Sequence, residues 1–118
     1  MNGFRVRVGL AALAAGLLMG HSAAFAADAA KGKIFYIQKY GCYQCHGTEG
    51  QGSAITGPKL APNPMPYEAL VNFVRTSARE MPPYREQILP NEDLADIYAY
   101  LLTIKPAADY KTIPLLND

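Results

Sequence analysis

An all-α fold is what this sequence predicts, on three observations. Three segments, starting near Ala29, Pro66 and Asn91, carry helix caps, helix stops or apolar residues at helical spacing. The stretches between them are rich in Gly, Pro, Ser and Thr and show no alternating strand pattern of any length. Once its leader is gone the chain has room for only one small domain, which buries a modest fraction of its surface and needs a staple. The stretch Cys42-Tyr43-Gln44-Cys45-His46 offers one.

The leader comes first. Arg5 and Arg7 precede the apolar stretch Val8 to Met19, and the small residues Ala23-Ala24-Phe25-Ala26 follow. This is the layout of a secretory signal peptide, with cleavage expected just after Ala26 and residues 1–26 removed. The apolar run is short of the roughly 20 residues that span a bilayer. No second such run occurs, so the mature protein is expected to be soluble and to have no membrane span.

From Ala29 to about Tyr40 a short helix is expected, capped by Asp28 and stopped by Gly41. Glycine inside a helix costs up to ~1 kcal/mol relative to alanine. Gly32 therefore predicts a close approach by another helix, with Tyr36 on the same face one turn later.

Two thiols and an adjacent imidazole follow at once, and their spacing is that of a c-type haem attachment site. Each cysteine can add across a haem vinyl group to give a thioether, and a ring nitrogen of His46 can then bind the iron. A structural zinc ion wants four Cys or His ligands, and the mature chain has only Cys42, Cys45 and His46. A thioredoxin-like pair wants a strand and a helix around it, whereas the flanks here read as helix and Gly-rich loop.

Residues Gly47 to Pro64 read as an ordered loop without strands. A middle helix is expected from about Pro66 to Arg79, with Tyr67, Leu70, Val71 and Val74 on one face and Pro66 in its first turn. The last helix begins at Pro90-Asn91-Glu92-Asp93, with Asn91 as cap and acidic residues at the positive end of the dipole. It runs to about Ile104 and stops before Pro106; Leu94, Ile97, Tyr98 and Leu101 form its apolar face. Tyr98 and Tyr100 read as core residues on this helix. The tail, residues 106–118, is too short and proline-marked for another helix, yet carries Tyr110, Ile113, Leu115 and Leu116. Lys31, Lys33, Lys39 and the scattered acids read as a solvated surface.

Charge narrows the functional classes. Without the leader the chain has nine Lys and Arg against ten Asp and Glu, a formal charge of −1. There is no basic stripe with interleaved aromatics for nucleic acid and no polybasic face for anionic lipid. No Ser/His/Asp set, carboxylate pair or phosphate loop appears, and His46 is the one histidine outside the leader. An enzyme acting alone is not expected. Export fits the cysteines, because haem attachment and an oxidising compartment both point to the bacterial periplasm.

The chain resembles a class I c-type cytochrome over nearly all of its mature length, residues 27–105. Four pieces carry the resemblance: the haem motif, Gly57-Pro58-Lys59-Leu60, Met81-Pro82, and the Gly32/Tyr36 face opposite Ile97, Tyr100 and Leu101. It implies a compact cytochrome c fold of three main helices wrapped around one covalently bound haem c. By the same resemblance the carbonyl of Pro58 accepts a hydrogen bond from His46, and Met81 is the second axial ligand of the iron. Met65 also stands in the mature chain, but it precedes the middle helix, whereas Met81 follows that helix and is held by Pro82 and Pro83. Only about two dozen residues separate Pro58 from Met81, so the additional helices of longer family members have no room here.

An iron held by His and a thioether has no free position, which suits electron transfer and disfavours oxygen chemistry. The expected function is thus a periplasmic electron carrier. Its redox partners would be a periplasmic dehydrogenase as donor and an oxidase or another cytochrome as acceptor. The second reading is a dedicated cytochrome subunit of a periplasmic dehydrogenase complex, docked through the apolar tail. A haem peroxidase or gas sensor would require Met81 to leave the iron free.

Overall fold

The computed structural model describes residues 26–78 and 80–116. The expected leader, residues 1–26, lies outside the described residues except for Ala26, as does Arg79. Helix α1, Ala29–Ile34, begins where Asp28 accepts hydrogen bonds from the backbone N–H groups of Ala30 and Lys31, satisfying two donors that the first turn leaves open. The helical run continues as a wider π-helical stretch, Phe35–Lys39. Gly41 stops it with φ of 66°, a conformation that favours glycine. A single turn, α2 (Tyr43–His46), carries the cysteine and histidine motif.

The core is the crossing of α1 with α4, Asn91–Thr103. Gly32 lies against the backbone of Asp96 and Ile97, so closely that a Cβ would collide with the Asp96 carbonyl. The glycine that is costly inside its own helix is what allows the second helix to seat. One turn on, Tyr36 is fully buried and its ring centroid is 5.5 Å from that of Tyr100. Ile97 and Leu101 complete the contact.

Polar groups lock the same crossing. The Asp28 N–H donates to Asp96 Oδ1 at 2.7 Å, and Lys31 Nζ stands 2.9 Å from Asp96 Oδ2. Lys39 Nζ and the Tyr40 hydroxyl both donate to Asp93 Oδ2, at 2.7 and 2.6 Å. The two ammonium groups also lie over the Phe35 ring, 4.9 and 4.6 Å from its centroid. Lys31 and Lys39 stay exposed, as the sequence suggests, and each also pairs with an aspartate on α4 across the crossing.

Burial alone would raise the Asp93 carboxyl, but the hydrogen bonds from Lys39 and Tyr40 outweigh it and hold the group below the usual carboxylate range. A carboxyl lowered by folding stabilises above its unfolded value of about 3.9, and that contribution is lost as pH falls through the folded value. Asp93→Asn is accordingly expected to lower the urea midpoint at pH 7, with the gap to the native protein closing as pH falls from 6 to 3. A gap independent of pH would mean that the Asp93 charge does not stabilise the fold.

Helix α3, Tyr67–Thr76, packs Leu70 and Val74 into the core and sets the Tyr67 ring 5.3 Å from Tyr98 of α4. It is shorter than expected at both ends. Pro66 is the cap rather than a first-turn residue, and Ser77 leaves the helix with ψ of 135°. At α4 the cap is Pro90 and Asn91 is already helical. The Asn91 side chain has no capping role because it is occupied elsewhere, accepting from Arg75 at 2.7 Å and donating to Glu86 at 2.8 Å. Tyr100 is buried and Tyr98 half-buried.

Among the described residues there is no strand, only an isolated bridge between Ser53 and Gly57. No described helix is long and apolar enough to cross a membrane. Beyond Ile104 the tail forms two short 3-10 turns, Tyr110–Thr112 and Pro114–Leu116, with Tyr110, Leu115 and Leu116 exposed.

Candidate haem-binding site

Cys42, Cys45 and His46 line a cavity of about 840 Å³, within the usual size of a cofactor site. His46 is only 6% exposed, and its Nδ1 lies 2.8 Å from the carbonyl oxygen of Pro58. A carbonyl only accepts, so Nδ1 carries the proton and Nε2 keeps the lone pair that a metal can take. The contact depends on how closely the loop approaches. A Cβ at Gly57 would lie 2.9 Å from the Cys45 carbonyl oxygen and 3.2 Å from His46 Cε1.

The loop after the motif is tied down by groups that periodicity does not reveal. The Tyr36 hydroxyl donates to the Gly47 carbonyl at 2.8 Å and the Tyr100 hydroxyl to that of Thr48 at 2.9 Å. The two buried tyrosines of the helix crossing therefore also anchor the residues just after His46. Thr56 donates its hydroxyl to the Cys45 carbonyl at 2.7 Å. Each is a side chain bonded to a backbone carbonyl at least 11 residues away, beyond the reach of any local sequence signal.

Donor chemistry tests what this cavity can hold. Among the described residues no three His, Cys, Asp or Glu side chains converge as a metal-ion site. Burial pushes the free Cys42 thiol up to about 11. A nucleophilic redox cysteine needs the opposite shift. Two thiols a helical turn apart, one imidazole with its tautomer fixed and a large cavity walled by Leu70, Val74, Leu94, Ile97 and Leu101 do fit a haem. Residues 27–101 of the chain match the family model of cytochrome c oxidase, cbb3-type, subunit III.

The chain belongs to this family of c-type cytochromes. It is a class I cytochrome c domain, of the kind that carries covalently bound haem c and transfers electrons on it. No curated protein and no solved structure matches it. The all-α cytochrome c fold expected from the sequence is the fold observed, with the one-turn α2 added to the three main helices.

The structure also brings both methionines to the lining of the cytochrome's cavity. They differ in setting. Met81 is half-buried and packed against the core, whereas Met65 is 42% exposed. Met81 belongs to the segment between α3 and α4, whose return is fixed by the Tyr84 N–H donating to the Val74 carbonyl at 2.9 Å. Arg75 ties down the same segment and stands out in neither periodicity nor motif. Its Nη1 donates to the Tyr84 carbonyl at 2.6 Å and its Nη2 to the Leu89 carbonyl at 2.8 Å.

Proposed function

We propose that this cytochrome is a periplasmic carrier of single electrons with one haem, bound through Cys42 and Cys45 and ligated by His46 and Met81. The observation that carries the reading is the convergence of all four side chains on one cavity, with Nδ1 of His46 engaged by Pro58. An imidazole and a thioether together leave the iron no open position, and the soft sulfur favours the reduced ion and raises the potential. Residues 1–26 act as a cleaved leader that delivers the two thiols to an oxidising compartment. Residues 27–105 form the haem domain and 106–118 a tail.

The test is a denaturing gel stained for haem, run beside an intact-mass measurement on periplasmic protein. Covalent colour is expected at the mass of the chain without its first 26 residues plus a single haem. A colourless band, a full-length product or a second haem would overturn the proposal.

A second reading is favoured by the exposed Tyr110, Leu115 and Leu116 of the tail and by the matched family's description as an oxidase subunit. In it the chain is the dedicated cytochrome subunit of a larger redox complex, such as a periplasmic dehydrogenase. Native mass spectrometry of material released from the periplasm separates the two, since a carrier flies alone and a subunit flies with its partner.

A further inference from the structure

The segment from Ser77 to Pro90 contains Met81 and packs Leu89, Met81 and Tyr84 against the core, but its backbone around Met81 is poor in hydrogen-bond donors. Pro82 and Pro83 carry no N–H, so the backbone cannot donate a hydrogen bond at either of the two residues after Met81. The first backbone donor beyond them is Tyr84, which bonds to Val74. Arg75, the next residue of α3, spans the rest of the segment. Its guanidinium takes the Tyr84 carbonyl at 2.6 Å, the Leu89 carbonyl at 2.8 Å and Asn91 Oδ1 at 2.7 Å. Asn91 in turn donates to Glu86 Oε1 at 2.8 Å, so both ends and the middle of the 84–89 stretch are linked to one side chain.

Among the described residues no carboxylate is in ion-pair contact with Arg75. Its donors go to carbonyl and amide oxygens, for which a planar fork with five N–H groups is suited and a lysine is not. We propose that Arg75 is the positioning residue for Met81: by clamping the carbonyls of Tyr84 and Leu89 to α3, it keeps the methionine sulfur in place at the haem cavity. The proposal rests on Met81 being the axial ligand, and it adds what holds that ligand on.

The experiment titrates ferric holo-protein with imidazole, which takes the iron position only when the sulfur has left. Its apparent affinity therefore follows the fraction of molecules with Met81 detached. Losing hydrogen bonds from a charged donor is expected to raise that affinity about tenfold or more in Arg75→Met. Arg75→Lys, which keeps the charge but cannot bridge both carbonyls, should fall between Arg75→Met and the native protein. A purely structural role would lower the urea midpoint and leave imidazole affinity without urea at the native value; that result overturns the proposal. Met81→Ala is the reference for full detachment. If it binds imidazole no better than the native protein does, Met81 ligation fails and the proposal with it. If Met81→Ala binds far more tightly while Arg75→Met does not, ligation stands and the positioning role falls. Should Arg75→Met not mature to a folded holo-protein, Arg75→Lys decides: raised affinity supports the role and native affinity overturns it.

Discussion

Met81→Ala is expected to abolish the weak sulfur-to-iron absorption at the red end of the ferric spectrum and to open the reduced protein to carbon monoxide. Met65→Ala is expected to do neither. Both residues line the cavity, so proximity alone does not choose between them. The proposal for Met81 rests on support: Met81 packs against the core on a segment tied to α3 at Val74 and Arg75, while Met65 is 42% exposed just before Pro66. A ligand that must stay bound through repeated oxidation and reduction belongs on the restrained segment. The reverse pattern would move the ligand to Met65. Native protein that already binds carbon monoxide readily would replace the carrier reading with a sensor or peroxidase.

Gly32→Ala should destabilise the holo-protein, although on an uncrowded helix the same change gains up to ~1 kcal/mol. The sign is set by the Asp96 carbonyl, which occupies the place where the new methyl would go. Backbone, unlike the far end of a flexible side chain, cannot step aside, so α4 must move. Overpacking of this kind costs ~1–3 kcal/mol, and Gly32→Val should cost more than Gly32→Ala. Against a total stability of about 5–15 kcal/mol for a typical domain, the shift in urea midpoint is easily measured. A midpoint at or above the native value for Gly32→Ala would show that the helices do not cross at this residue.

What the sequence made legible was local. Asp28 as a cap, Gly41 as a stop and the apolar face of α4 each act on backbone within a turn of themselves, and each is where it was expected. Gly32 was legible for a different reason, because a residue that violates helix propensity signals a neighbour. The grouping of Cys42, Cys45, His46, Pro58 and Met81 around one cavity follows the motif order along the chain. The partners of side chains were not legible. Asp93 looked like a first-turn acid serving the helix dipole and Asp96 like one of the scattered surface acids, and nothing nearby in sequence marks Lys39, 54 residues earlier, as a partner of Asp93. Asn91 looked like a cap because caps are commonly asparagine; its bond to Arg75 comes from 16 residues upstream and overrides that preference. The early end of α3 and the π winding of Phe35–Lys39 were likewise not marked by any local signal in the sequence.

The α1 and α4 crossing also bears on the order in which the chain can fold as it emerges. Its closing bonds join residues at opposite ends of the domain, 68 positions apart between Asp28 and Asp96. The matched family region ends at Leu101, which is also the last buried residue of the crossing. A growing chain therefore presents its first helix and both thiols long before the helix that α1 packs against is available. Loop closure over such a span is entropically costly until the packing that rewards it arrives with the last turn of α4. In this topology the interval between the exit of Cys45 and the exit of Leu101 is a time when the thiols are present without the completed core that Cys42 packs against, and the length of chain between them sets its duration.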